Sequence, residues 1–330
     1  MALEETGIIK PKPKPKLKLG FLNGISAEWV HLHRDKIEQT SRVDDADYII
    51  YESNGDPIPM IMKIRATFPR NKLVFILSGD QSLQIDDECI WFSNAVRPGG
   101  LAKRQTQIFV TNPAIFKYYD KVGRGITQIR TRDIDIYFKG TIWAGMRTEM
   151  YDYFITCKTN QQQEMTCVIE KNNDYWGWRL NGYQRPTHTE IEQEAFKSYE
   201  VMGNAKLCLC PKGNGNSSMR IVEALACGAI PVLIDDFSAP FGVAWESAGV
   251  ALAFDTRIHK WDYIYAECNK LVQDGERMEK MQKKGHEYFI DVIYGDAKLQ
   301  GFKMYGNLDT VAFGFSGAIL EELLKMHTAR

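Results

Sequence analysis

Leu207–Phe241 reads LCLCPKGNGNSSMRIVEALACGAIPVLIDDFSAPF, and its punctuation alternates between strand and helix. The apolar run Lys206–Cys210 predicts a buried strand. A loop carrying Gly213 and Gly215 follows, then Asn216, Ser217 and Ser218, residue types that accept from the first N–H groups of a helix. Met219–Cys227 predicts that helix, stopped by Gly228, the residue type favoured just past a helix end. Ile230–Ile234 predicts the next strand. A strand, a glycine loop and a helix start in succession make an anion site, because unpaired N–H groups and the positive end of the helix dipole face whatever binds there. Lys212 adds a charge to the same loop, so the candidate binding residues are Lys212, Gly213, Ser217 and Ser218.

Arg220 falls in the first helical turn, where the dipole disfavours a cation; an anion nearby relieves that. Glu223 lies three residues on, on the same face, where it accepts hydrogen bonds from vicinal hydroxyls such as those of a ribose. The competing reading is a surface pair between Arg220 and Glu223, worth a few tenths of a kcal/mol, ~0.2–0.5. The pattern occurs twice. Tyr137-Phe138-Lys139-Gly140 ends a strand and Arg147 opens the following helix. Two arginines at helix starts suggest a diphosphate held between them, for which the planar, permanently charged fork of Arg is suited.

Working outward, the alternation extends along the chain. Leu17–Leu22, Tyr48–Tyr51, Lys72–Leu77, Ile90–Phe92 and Ile108–Val110 predict strands, with helices over Glu28–Gln39 and Ile61–Phe68. The pattern restarts with a strand at Ile134–Phe138, a helix at Met146–Thr156, a strand at Met165–Glu170, a helix at Glu190–Met202 and a strand at Val250–Phe254. Trp261 to Val292 is a long amphipathic stretch. Helix-covered parallel sheets are the expected outcome. We expect an α/β protein of two Rossmann-like domains facing a cleft: an N-terminal domain over 18–133, a C-terminal binding domain over 134–300, and a helical segment over 301–330 returning to the N-terminal domain. Residues 1–17, with alternating Pro and Lys from Pro11 to Lys16, read as an extended tether.

Composition bounds the rest. The chain has 330 residues, 44% hydrophobic and 25% charged, which is ordinary globular usage for roughly two domains. No stretch is long and apolar enough to span a membrane, and the N-terminus has no secretory pattern. The formal net charge is −1, and the basic excess expected of a nucleic-acid partner is absent. Seven cysteines without metal-binding spacing read as free thiols in a reducing compartment.

The constellation resembles the exostosin-like glycosyltransferases of family 47. The elements that carry the resemblance are Phe138-Lys139-Gly140…Arg147, Cys210-Pro211-Lys212-Gly213, Ser218-x-Arg220-x-x-Glu223-Ala224-Leu225, Ile230-Pro231-Val232 and Pro240-Phe241. The resemblance implies a GT-B fold, a UDP-sugar donor on the C-terminal domain, a glycan acceptor (oligosaccharide or glycoprotein), and inversion at the anomeric carbon. Xylose is the expected sugar, and neither cofactor nor metal is expected. Most family members carry an N-terminal Golgi anchor. Its absence is similar to the short soluble glycosyltransferases of large algal viruses and implies a cytoplasmic location (host cytoplasm for a viral protein), with the Golgi lumen as the alternative.

Other readings compete. Gly213-x-Gly215-x-x-Ser218 is one substitution from a dinucleotide fingerprint, with Asp235 twenty residues after Gly215, so an NAD(P)-dependent oxidoreductase is the alternative enzyme. A catalytically inactive carbohydrate-binding protein is the alternative without chemistry. The triplets Asp45-Ala46-Asp47 and Asp133-Ile134-Asp135 fit a metal-dependent transferase but precede strands, and read as solvated loop residues. Tyr175-Trp176-Gly177-Trp178 reads as packed aromatics. An inverting transfer needs a base across the cleft from the donor. Asp80, in Ser78-Gly79-Asp80 after Lys72–Leu77, is the candidate, with Glu52 and Glu28 as competing carboxylates.

Overall fold

The structure, a computed structural model, describes residues 16–22, 30–31, 33–53, 58–77, 88–93, 105–107, 112, 114–122, 125–142, 145–159, 164–172, 187–213, 218–235, 246–295 and 316–329. The predicted strand over 108–110, the aromatic loop at 175–178, most of the tether, and Asp80, Ser217 and Glu28 lie outside these residues.

Two parallel sheets organise the chain. The N-terminal sheet holds β1 (Leu17–Phe21), β2 (Ile37–Gln39), β3 (Tyr48–Ser53), β4 (Leu73–Leu77), β5 (Ile90–Ser93) and β6 (Gln105–Gln107), in the order β2-β1-β3-β4-β5-β6. The C-terminal sheet holds β7 (Ile134–Gly140), β8 (Cys167–Lys171), β9 (Ala205–Pro211), β10 (Ile230–Ile234) and β11 (Leu252–Phe254), in the order β11-β10-β9-β7-β8. Every pair is parallel. This is a doubly wound α/β architecture of two Rossmann-like units. Strands covered on both faces must be apolar throughout, and β4 and β10 are buried at every position.

The strand order places the ligand-competent edges. In the C-terminal sheet the chain runs from β7 outward to β8 and returns on the other side as β9, so the order reverses between β7 and β9. Ligands of open α/β sheets bind beyond the carboxyl ends of the strands at such a reversal. In the N-terminal sheet the reversal lies between β1 and β3.

One local reading is corrected and one is refined. Of the helix expected over Glu28–Gln39, Val30 and His31 are helical, but from His33 on the chain is a turn and a strand: the N–H groups of Lys36 and Ile37 both donate to His33 O (2.8 and 2.9 Å), and Ile37–Gln39 pairs with Leu17–Leu19. The apolar spacing there served one buried residue on a sheet edge, Ile37, rather than a helical stripe. The long stretch from Trp261 is two helices, Trp261–Gln273 and Gly275–Tyr288, followed by a π-turn over Phe289–Tyr294. Asp274 breaks it, with φ −95° and ψ 80°, and its side chain caps the second helix by accepting from Arg277 N at 3.0 Å.

Packing assigns the connecting segments. The helix Ala114–Lys121, which the sequence reading groups with the N-terminal domain, buries Ile115, Phe116 and Tyr119 in the core beneath β9 and the Met219–Ala226 helix. Phe116 and Tyr119 meet Phe289 and Tyr294 ring to ring. At the C-terminus the helix Ser316–Thr328 packs Ile319, Leu320 and Leu323 onto Leu17, Leu19, Ile50, Val74 and Ile76 of the N-terminal sheet. Lys36 Nζ pairs with Glu321 at 3.2 Å at its margin.

Gly228 ends the Met219–Ala226 helix with φ +66°. A β-carbon there meets Arg132 Nη2 and Ile126 Cγ2 at 3.0 Å. Arg132 is itself buried, donating to the carbonyls of Ala205 (2.6 Å), Thr127 and Cys227 (3.0 Å each). Gly228→Ala is therefore expected to lower the unfolding free energy by about 1–2 kcal/mol from the left-handed backbone alone. Urea denaturation measures this, and an unshifted midpoint contradicts it.

Candidate functional site

Three segments converge at the carboxyl ends of β7, β9 and β10, and each is placed by a strand that stops there. After β9, Lys212 and Gly213 begin the loop that leads to the Met219–Ala226 helix. Ser218 sits at that helix's N-cap in extended conformation (φ −134°, ψ 127°) and is buried, without a capping hydrogen bond from its side chain. The first turn brings Arg220 inward. Ile221, Val222, Ala224 and Leu225 are buried around it, so the apolar face of the helix is anchored in the core on both sides of the charge.

Arg220 Nη1 donates to Glu223 Oε2 at 2.6 Å, and Tyr199 OH donates to Glu223 Oε1 at 3.0 Å. The pair is not a surface pair. Glu223 is 3% exposed and the Arg220 side chain 24%. Glu223 is thus the anion that the position of Arg220 at the helix start called for. Burial opposes the charge on Arg220, but Glu223 together with Tyr137, Cys208 and Tyr199 outweighs it and holds the guanidinium above its ordinary range. Burial, reinforced by Glu223, pushes the Tyr199 hydroxyl well up, so it stays a neutral donor. Beside them Tyr137 OH and Ser198 Oγ lie 2.8 Å apart, and burial likewise raises Tyr137. Both carboxylate oxygens of Glu223 are engaged from within the protein, and in this arrangement the carboxylate sits beneath the helix start.

Arg147 follows Gly145, which takes φ +63° at the turn into the Met146–Thr159 helix. Its fork reaches across to the end of β9. Nε donates to Lys212 O at 3.0 Å, Nη2 to Pro211 O at 3.4 Å, and Nη1 to Thr141 O at 3.2 Å. Arg147 therefore ties the loop after β7 to the loop after β9, on the two sides of the topological reversal, and delivers a cation beside Lys212. Lys139, in the strand end that the sequence singles out, is held by Glu194 at 2.5 Å and Glu170 at 3.6 Å.

The remaining expectations fall as follows. Asp235 does not stand free for a ribose, as a dinucleotide site requires; its Oδ2 takes Lys212 Nζ at 2.6 Å. Asp135 is not a solvated loop residue. It lies inside β7, buried, accepting from Lys206 Nζ at 2.6 Å and Thr166 N at 2.7 Å. Asp47 likewise accepts from Lys18 N at 2.7 Å. Glu52 lies within β3, opposite Ile76, rather than beyond the strand. Among the described residues no cluster of His, Cys, Asp and Glu has a metal-binding arrangement, and no helix is long and apolar enough to cross a membrane. Sequence reasoning missed Tyr199 and Ser198, which lie on the far helix His188–Gly203 with no local motif to mark them.

The residues assembled here lie within a segment that matches a known domain family. The profile of the Exostosin GT47 domain matches residues 125–262, from just before β7 to the start of the Trp261–Gln273 helix. That segment resembles the exostosin domain. A Caenorhabditis elegans Exostosin-1 homolog is 30% identical over 92 residues, covering 27% of this chain and 23% of that protein. The probable beta-1,4-xylosyltransferase IRX10 of Arabidopsis thaliana is 48% identical over 58 residues, covering 17% of this chain and 14% of that one. The probable glucuronosyltransferase GUT1 of Oryza sativa subsp. japonica is 47% identical over 60 residues, with the same coverage. The chain thus matches less than a quarter of the length of these relatives. A solved glycosyltransferase from Rickettsia africae ESF-5 overlays with a TM-score of 0.44 at 9% identity, over 94% of this chain and 90% of that one.

Proposed function

We propose that this exostosin-like protein is an inverting glycosyltransferase that moves a sugar from a UDP-sugar, with xylose as the sugar, to a hydroxyl of an oligosaccharide or glycoprotein glycan. The observation that carries the reading is the gathering of Arg147, Lys212 and the buried Arg220–Glu223 pair at the reversal between β7 and β9, within the segment that matches the exostosin domain.

In this reading the acceptor oxygen attacks the anomeric carbon from the face opposite the diphosphate. The bond from that carbon to the β-phosphate oxygen breaks, and its electron pair leaves with the diphosphate. Arg147, Arg220, Lys212 and the N–H groups near Gly213, Ser217 and Ser218 take up the growing negative charge in place of a metal, as preorganised donors do in a dry site. Glu223 acts on the ribose by way of the helix start that it anchors, and exposing its carboxylate to a hydroxyl requires its partner Arg220 to turn toward the phosphates. The acceptor's proton passes to a carboxylate of the N-terminal unit, for which we retain Asp80, after β4. The reversal of the N-terminal sheet lies between β1 and β3, so Glu28, in the segment after β1, is its main rival.

Calorimetry with UDP, UDP-sugars, GDP-sugars, NAD and NADP, each with and without EDTA, tests the reading. UDP binding that is indifferent to EDTA agrees with it, whereas NAD binding alone restores the oxidoreductase. For the base, Asp80→Asn should lower transfer at saturating donor by about 10²-fold or more with donor affinity unchanged. Near wild-type transfer in Asp80→Asn, with a large loss in Glu28→Gln, moves the assignment to Glu28.

A further inference from the structure

Asp235 is the single non-glycine residue with positive φ among the described residues, at 90°. A residue with a side chain is held there against its steric preference, and such positions persist where the surroundings over-determine them, often at ligand sites. Asp235 follows β10 directly. Its N–H donates to Phe254 O of β11 at 2.8 Å, which fixes the backbone, and its carboxylate meets Lys212 Nζ at 2.6 Å. The carboxylate side chain is 14% exposed and the lysine 35%.

Lys212 is fixed from the other side. Its N–H donates to Ile234 O at 3.3 Å and its carbonyl accepts from Arg147 Nε at 3.0 Å. With its backbone clamped between β10 and Arg147, the direction of its ammonium is set by Asp235. Glycine meets the backbone demand at this position without strain, so the carboxylate answers to something other than the turn.

We propose that Asp235 is the resident counter-anion of Lys212: an incoming diphosphate must share or displace it, and it recaptures the ammonium as the nucleoside diphosphate departs. The inference rests on the diphosphate reading given above. Lys212 has three N–H donors but one positive charge, so a diphosphate beside it meets both its attraction and the repulsion of Asp235. That repulsion weakens retention of the product more than a neutral residue would, and product release is a common limit on turnover. Asp235 is therefore a positioning residue: it acts through Lys212.

The test is UDP binding by calorimetry, with UDP product inhibition of transfer measured alongside. Asp235→Asn keeps the shape, removes the charge and tolerates positive φ. It should tighten UDP about tenfold, lower the UDP inhibition constant to match, slow turnover at saturating donor, and make UDP affinity fall more steeply with salt as the unneutralised lysine is screened. Asp235→Gly, which also relieves the backbone, should tighten UDP similarly and raise the melting temperature. UDP affinity unchanged or weakened in both folded variants overturns the proposal. If Arg220→Ala weakens UDP binding while neither Asp235 variant tightens it, the donor site stands and only this inference fails. A wild-type protein that binds no nucleoside diphosphate overturns both.

Discussion

Arg220→Ala is expected to lower the unfolding free energy by about 3 kcal/mol, and not merely to weaken donor binding. Truncating Arg220 leaves Glu223, 3% exposed, as a buried carboxylate whose remaining donor in this network is Tyr199. Breaking a buried ion pair costs roughly 3–5 kcal/mol because one charge is left uncompensated. The low end applies because the Arg220 side chain keeps 24% of its surface exposed, so water can enter where it is removed. Glu223→Gln added to Arg220→Ala should recover part of that loss, since the stranded charge is gone. It should not recover UDP affinity, because the cation is still missing. Denaturant unfolding and calorimetry on the same two proteins separate the effects. Equal unfolding midpoints for wild type and Arg220→Ala would show that the pair carries no stability, and recovery of UDP binding in the double variant would remove Arg220 from the donor site.

Truncation after residue 300 should have a still larger effect, and on the other unit. The helix Ser316–Thr328 places Ile319, Leu320 and Leu323, all fully buried, against β1, β3 and β4. At about 1.5–3 kcal/mol for each buried aliphatic side chain, their loss is of the order of a typical domain's whole stability, roughly 5–15 kcal/mol. The N-terminal sheet should lose cooperative folding while the C-terminal sheet keeps its own core. In hydrogen exchange, amides of β1, β3 and β4 should lose protection in the truncated chain, whereas those of β9 and β10 should retain it. Leu323→Ala is the milder version, expected to cost about 2–5 kcal/mol. Undiminished protection in β4 after truncation would show that the sheet does not depend on this helix.

The two predictions divide along the same line as the reading of the chain. Where a segment carries its own period, the amino-acid sequence suffices. KLCLC, IPVLI and KLVFIL are apolar throughout, and that is what a strand covered on both faces must be. Glycine at Gly228 ends a helix because the backbone there takes φ +66°, which glycine alone adopts without steric cost. Alternation of such segments leads to an α/β protein with two parallel sheets before any contact is known. Where the local signal is weak, the neighbours decide. Ile37–Gln39 is too short to carry a period, and becomes a strand because β1 offers it a parallel edge. Asp274 interrupts an amphipathic run that any period would continue.

The site divides in the same way. That Arg220 begins a helix and that Arg147 begins another follow from caps, glycines and spacing, because these depend on residues within one or two turns. The family elements likewise lie within contiguous stretches, so they are legible as sequence. What lies beyond the next turn is not. Tyr199 is 24 residues from Glu223, Arg147 is 65 residues from the Lys212 carbonyl it binds, and Asp235 reaches Lys212 across two adjacent strands. Sequence alone determined which residue types stand at the strand ends, and from them comes the expectation of a cation-rich anion site there. Only the tertiary structure decided which charges neutralise one another, because pairing depends on distances set by strand order and burial, and neither is encoded in the spacing of residues along the chain.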